Sequence, residues 1–295
     1  MNAMKRLLIT QAVLAVSSVV QAQQSVVDMN FAGNEGERIM KEATLTLPET
    51  QVGKKRPAIV ILHHGGGWGA GTTTQYASFL ASHGFVTLEP RMFNSAGDSG
   101  DTYRHMPTVF GSLTYLAKRP EVDDKRIALM GLSYGAVLSL YAGTTWARTK
   151  YPTGDLRYAA IASFYPPCWI GKAYISRTMT IGVWKNRAYP ESLMDQWGAI
   201  PLGIFAGGAD DYNSKDPQAC TDFVASIPDE KQRSLTQVYL YPAATHGWDH
   251  GRTYTRFSRS ACKGTGCDNT NESNPEITQK GKSDLLKFLQ SKLGL

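Results

Sequence analysis

The feature that most constrains this chain is Gly131-Leu-Ser-Tyr-Gly135, set between an apolar run at 127–130 and a helix-forming stretch at 136–142. A Gly-x-Ser-x-Gly between a buried strand and a helix reads as a nucleophile elbow. The serine sits on a tight, strained turn and its hydroxyl projects above the end of the sheet. Glycine two residues either side avoids a side chain that would collide with the neighbouring strand or helix. Five residues alone are a weak pattern; the strand before and the helix after give it weight.

A serine hydroxyl is a poor nucleophile at neutral pH and needs a base to take its proton and an acid to orient that base. After an elbow these partners are expected in the order serine, acid, histidine, each beyond a later strand. The chain supplies that order. A strand-like run at 201–206 leads into Gly207-Gly-Ala-Asp210-Asp211, and one at 237–241 leads into Pro242-Ala-Ala-Thr-His246-Gly-Trp248. Asp210 is preferred to Asp211 as the acid because it follows the turn glycine at the spacing Gly-x-x-Asp. The other aspartate then suits a helix N-cap ahead of 216–227. His246 and His250 are spaced i, i+4, which invites a metal reading, but Gly247 argues against a helix there and no third ligand is evident.

The oxyanion of a tetrahedral intermediate needs preorganised donors. One expected donor is the backbone N–H of Tyr134, directly after Ser133. The other is expected from His64-Gly65-Gly66-Gly67, which follows an apolar run at 57–62, with Gly66 the first choice and Gly67 the second. His63 and His64 are expected to shape this loop through hydrogen bonds rather than to act as bases.

Strand-like runs at 38–47, 57–62, 85–89, 158–164, 201–206 and 237–241 alternate with helix-like stretches at 72–83, 102–118 and 283–293. That alternation implies βαβ units and a mostly parallel sheet. Asn, Thr and Gly dominate 263–275, which reads as a surface loop. A hydrophobic fraction of 42% with 19% charged residues is that of an ordinary globular chain. Residues 1–22 read as a signal peptide: Lys5-Arg6, an apolar stretch at 7–20, and Val20-Gln-Ala22 before the cleavage point. The remainder, 23–295, is expected to form one domain with no membrane span, exported to the periplasm or secreted. Taking Lys5 and Arg6 from the formal charge of +6 leaves +4. Without a basic stripe or binding motif, nucleic acid is not an expected partner.

Four cysteines, Cys168, Cys220, Cys262 and Cys267, fit an oxidising compartment. Cys262 and Cys267 are spaced to close a small loop, leaving Cys168 for Cys220, but the sequence does not choose among the three pairings. Zinc is disfavoured because C-x-x-C spacing is absent.

Taken in order, His64-Gly-Gly-Gly, Gly131-Leu-Ser-Tyr-Gly135, Gly207-Gly-Ala-Asp210 and Ala244-Thr-His246-Gly-Trp248 resemble the α/β-hydrolase superfamily. Within it they resemble exported members of the dienelactone hydrolase family, as do Tyr165-Pro-Pro-Cys168 and Cys220. The resemblance implies an α/β-hydrolase fold, with a mostly parallel central sheet and helices on both faces. It also implies acyl transfer without a metal or organic cofactor. Dienelactone hydrolases use a cysteine nucleophile where this chain has Ser133, which directs the expectation to ordinary ester hydrolysis.

The connection at 165–200 is long and holds Trp169, Tyr174, Trp184, Tyr189 and Trp197. In this fold such an insertion often caps the acyl pocket, although its aromatics can equally pack it onto the core. Trp68 and Trp248 flank the glycine loop and the histidine, and with Trp169 they are the expected pocket wall. The expected substrate is an ester with a small or medium acyl group, aromatic or lactone included. Peptidase or amidase activity and a non-catalytic binding role are the alternatives.

Overall fold

The computed structural model describes residues 22–49 and 54–295, so all of the expected leader but Ala22 lies outside the described residues. In chain order the strands are β1 (Gln23–Ala32), β2 (Arg38–Leu47), β3 (Arg56–Leu62), β4 (Val86–Pro90), β5 (Val122–Leu132), β6 (Ala160–Phe164), β7 (Leu202–Gly207), β8 (Thr236–Tyr241), β9 (Tyr254–Ser258) and β10 (Cys267–Asn271). The α-helices are α1 (Thr74–Ser82), α2 (Met106–Ala117), α3 (Tyr134–Ala142), α4 (Thr145–Lys150), α5 (Cys168–Ile175), α6 (Ala219–Ser226), α7 (Glu230–Ser234) and α8 (Pro275–Leu293).

The main sheet has the order β1-β2-β4-β3-β5-β6-β7-β8. From β4 to β8 every pairing is parallel, while β2 runs antiparallel to both β1 and β4. Parallel strands covered on both faces must be apolar on both, and period 2 sorts their residues. Ala58, Val60 and Leu62 of β3 join Leu129 of β5 and Ile204 of β7 in one core with α2, α3, α5 and α6. Ile59 and Ile61 join Met130, Phe164 and Phe205 in the other, with α1 and α8. The chain goes from β3 outward to β4 and then back to β5 on the other side, so the carboxyl ends of β3 and β5 form the crevice where such sheets hold their sites.

Three expectations about elements change. Residues 23–32, outside the expected strands, form edge strand β1, of which only Met29 is buried. The loop expected at 263–275 contains β10, which pairs with β9 in a separate hairpin, so β8 is not the last strand. The helix expected at 102–118 breaks at His105 into a 3-10 turn and α2, with Pro107 in the first turn of α2, where a missing N–H costs nothing.

Disulfides join Cys168 to Cys220, tying α5 to α6, and Cys262 to Cys267, closing the hairpin tip. Tyr174, Tyr189 and Trp197 of the long connection are buried core residues, while Trp169 and Trp184 pack against that core half-buried. No helix among the described residues is long and apolar enough to cross a membrane.

Candidate active site

Ser133 lies between the end of β5 and the first residue of α3, with φ 51° and ψ −104°. A non-glycine residue in that region is strained, and the surroundings hold it there. Its N–H donates to the Phe164 carbonyl at 3.0 Å. A Cβ on Gly131 would come within 2.1 Å of the Gly135 carbonyl oxygen, and one on Gly135 within 2.5 Å of the Leu62 carbonyl oxygen. The motif glycines thus let α3 start in backbone contact with both strands.

Three loops bring Ser133, His246 and Asp210 into line. Ser133 Oγ lies 2.7 Å from His246 Nε2, and His246 Nδ1 lies 2.9 Å from Asp210 Oδ2. A carboxylate only accepts, so Nδ1 carries the proton and Nε2 is left to accept from the serine hydroxyl. Asp210 is fully buried and His246 nearly so. Asp210 Oδ1 also accepts the Tyr212 N–H at 2.8 Å, capping the 3-10 turn Asp211–Asn213. Asp211 points elsewhere: its Oδ2 accepts the Thr270 N–H of β10 at 2.9 Å. Neither aspartate caps α6, whose N-cap is Gln218.

The glycine loop differs from expectation. Gly66 N–H donates to His64 Nδ1 at 2.8 Å, and Gly67 N–H donates to the His64 carbonyl at 3.1 Å, so the first and second choices for an oxyanion donor from this loop are both already engaged. Their glycines serve the turn: a Cβ on Gly66 would strike the His64 ring at 2.3 Å, and Gly67 has φ 86° with Asn94 O only 2.4 Å from any Cβ. Among the described residues the N–H groups of Gly65 and Tyr134 have no protein acceptor. A Cβ on Gly65 would sit 3.8 Å from Tyr134 Cβ, so the two backbones adjoin. The helix dipole of α3 favours negative charge at its first residue, Tyr134. The sequence signal for Gly65 was present, since it directly follows His64, but three equivalent glycines do not say which N–H the turn consumes.

His63 and His64 are structural. With Nδ1 accepting from Gly66, His64 donates from Nε2 to Thr72 Oγ1 at 3.0 Å. His63 donates from Nδ1 to the His64 carbonyl at 3.0 Å and accepts the Met92 N–H on Nε2. Burial above all pushes both below the usual histidine range, His63 to about 4 and His64 to about 2. Both rings are neutral at physiological pH, which the donor pattern requires. His250 stacks on His64 rather than joining His246 in a metal site, and no cluster of three or more His, Cys, Asp or Glu suited to a metal occurs among the described residues.

The aromatic wall is also rearranged. Trp248 is fully buried, packed between Tyr165 at 4.9 Å and Tyr241 at 5.4 Å, so it supports the His246 loop from beneath and cannot line a pocket. Trp68 is half-buried, its N–H held by the Phe93 carbonyl at 2.9 Å. Trp169 lies beside the hairpin tip, its ring within 2.8 Å of any Cβ on Gly264. Trp184 tilts over the Tyr134 ring at 5.7 Å and donates its Nε1–H to Ser260 Oγ at 3.3 Å, so the long connection and the hairpin meet near the Tyr134 ring. The sequence pointed to neither Tyr212, which covers the face of His246 at 4.1 Å, nor the hairpin residue Ser258 that bonds its hydroxyl.

This sheet and its crossovers define an α/β-hydrolase fold. The sequence profile of the dienelactone hydrolase family matches residues 42–266, and the chain belongs to that family. Among curated proteins none matches the sequence. Solved structures of similar fold include Est1E from Butyrivibrio proteoclasticus, at 15% identity and TM-score 0.56, covering 90% of this chain and 99% of that one. Thermogutta terrifontis esterase 2, in a structure phosphorylated by paraoxon, is similar at 13% identity and TM-score 0.62, over 90% and 94% of the two chains. Pyrococcus horikoshii acylaminoacyl peptidase is similar at 16% identity and TM-score 0.58, over 94% of this chain but 43% of the peptidase. At these identities the likeness concerns the fold.

Proposed function

We propose that this protein is an exported serine hydrolase that cleaves carboxylic esters through an acyl-enzyme. The observation that carries the reading is the line Ser133–His246–Asp210, at 2.7 and 2.9 Å, beneath a serine held at positive φ. In this reading Ser133 Oγ attacks the ester carbonyl carbon while its proton passes to His246 Nε2, and Asp210 stabilises the imidazolium. The N–H groups of Gly65 and Tyr134 receive the oxyanion. Collapse expels the alcohol, which takes the proton from His246. Water then attacks the acyl-enzyme, gives its proton to His246, and collapse returns that proton to Ser133 as the acid leaves. No metal or organic cofactor has a role in this sequence of steps.

Trp68 beside the glycine loop, Trp169 beside the hairpin tip and Trp184 over Tyr134 are half-buried aromatics, and in this reading they favour a small or medium acyl group, aromatic or lactone included. The long connection at 165–200 acts as the cap and belongs, with the rest of 23–295, to one domain. Two disulfides support an oxidising destination, in keeping with a cleaved leader.

The test is intact mass after incubation with a fluorophosphonate. One adduct is expected on the wild-type protein and none on Ser133→Ala, which should also lower ester turnover by about 10⁴-fold or more. Absence of an adduct on well-folded wild-type protein would overturn the reading. Anilides assayed beside esters separate amidase from esterase activity, and ligand binding without turnover would mark a binding protein.

A further inference from the structure

The imidazole of His246 is enclosed by two aromatic side chains. Tyr165 meets it edge-on, with centroids 5.1 Å apart, whereas Tyr212 lies over its face at 4.1 Å and 30°. The facing ring is fixed from several directions. Asp210, which holds His246 Nδ1 on one oxygen, holds the Tyr212 N–H on the other. Ser258 of β9 donates its hydroxyl to the Tyr212 hydroxyl at 3.0 Å, and Asp211 fastens the same turn to β10. Asn213 closes the third side, donating to the Pro166 carbonyl at 3.2 Å and accepting the Trp169 N–H. Tyr212 is left 8% exposed.

We propose that Tyr212 is a positioning residue for acyl transfer, whose π face, clamped over His246 by the β9–β10 hairpin, stabilises the imidazolium formed when His246 takes the Ser133 proton. The proposal rests on the acyl-transfer reading of Ser133. An aromatic face carries partial negative charge and attracts a cation stacked on it, most strongly where water is excluded. The titratable groups facing His246 are Asp210, Asp249, Tyr165, Tyr212, His64 and His250. His64 and His250 are neutral rings. The Asp249 carboxyl is committed to Tyr76 and Tyr165, and burial pushes it toward its protonated form. Of these, Asp210 on Nδ1 and the Tyr212 face at 4.1 Å lie closest to the charge that forms on His246.

The experiment compares wild type, Tyr212→Leu and Tyr212→Phe in kcat/KM for p-nitrophenyl butyrate and in the rate of Ser133 phosphonylation across pH. Leucine keeps an apolar cover without a π face. Its loss should move the acidic limb of both profiles down by about half to one pH unit and lower kcat/KM about three- to tenfold. Tyr212→Phe should return the limb to its wild-type position. An unmoved limb in Tyr212→Leu, or one moved upward because water reaches the imidazole, would overturn the inference. Thermal unfolding checks the fold, and Tyr212→Met carries the same test if the leucine variant is unstable. A wild-type protein that neither labels nor turns over ester removes the acyl-transfer reading as well. An active wild type with an unmoved Tyr212→Leu limb removes the role of Tyr212 alone.

Discussion

On the β3–β5 side of the cleft, position is set by backbone. Gly131 and Gly135 let α3 press on two strands, Gly66 and Gly67 let the loop after β3 fold on His64, and the free N–H groups adjoin. On the β7–β8 side, position is set by side chains arriving from far along the chain: Asp210 and Tyr212 beyond β7, His246 beyond β8, Ser258 and Thr270 from the hairpin. The first side is fixed where Gly66, Gly67, Gly131 and Gly135 leave no room for a Cβ. The second is assembled from hydrogen bonds, any one of which a substitution can remove. Local sequence marks the turns of the first side, whereas the hydrogen bonds of the second exist only in the complete fold.

The largest expected effect lies on the assembled side and tests whether its two adjacent aspartates have separate duties. Asp210→Asn should lower kcat by roughly 10³–10⁴-fold with fluorophosphonate labelling slowed in parallel, because the imidazole loses its orienting charge. Asp211→Asn should change kcat only a few-fold, on the scale of a lost side-chain-to-backbone hydrogen bond. Comparable losses in both variants would mean that the pair acts together, and the division drawn between acid and hairpin brace would fail.

What the sequence disclosed does not divide along these two sides. The meeting of Ser133, His246 and Asp210 could be read because strand, turn and chain order mark each of them. Gly65 could not be told from Gly66 and Gly67, since which N–H a turn uses up depends on the His64 rotamer. Trp248 looked like a pocket residue because it follows His246, yet its ring turns under the loop into the core beside Tyr165 and Tyr241. β1 alternates only over its second half, where Val27, Met29 and Phe31 face the core, and pairs with β2 along its whole length, while β10 places Asn269 and Asn271 in the interior, a pattern that reads as loop. Tyr212 carries no motif at all; its role depends on a hairpin some 45 residues away.

The disulfides grade the same comparison by stability. Cys168–Cys220 spans 52 residues and Cys262–Cys267 only 5. On the chain-entropy account, replacing the first pair by serine should cost about 4 kcal/mol of unfolding free energy and the second about 2 kcal/mol. Urea unfolding measures both. The hairpin pair should nonetheless have the larger effect on kcat/KM per unit of stability lost, since Ser258 reaches Tyr212 from that hairpin. Equal kinetic effects would remove the hairpin from the assembled side.

A smaller effect tests the backbone side. Gly67→Ala meets both Asn94 O and a φ of 86° and should lose about 3 kcal/mol, and Gly66→Ala, which displaces the His64 ring, about 2 kcal/mol. Gly65→Ala has room beside Tyr134 and should lose less than about 1 kcal/mol. If all three cost the same, the loop is not built around His64 in the way described.

The finest distinction is at the seam, where His64 of one side stacks on His250 of the other with centroids 4.3 Å apart and planes 25° from parallel. Burial, aided by neighbouring histidines and arginines, holds His64 down to about 2 and His250 down to about 3. The unfolded chain takes up protons at both near pH 6.5, so below that value it binds more protons than the folded protein. Stability contributed by these rings is present above about pH 6.5 and is lost as pH falls toward their folded values, at about 1 kcal/mol per pH unit for each histidine. Asp249 has the opposite sign: burial raises its carboxyl, so its contribution grows as pH falls, equally in any variant that retains it. His250→Phe keeps a stacked ring and deletes one titrating group. On a Ser133→Ala background it should flatten the pH slope of the unfolding free energy by about 1 kcal/mol per unit between about pH 6 and 4. Identical slopes in urea unfolding would mean that His250 takes its proton in the folded protein, and that the two sides part at this stack under mild acid instead of resisting it.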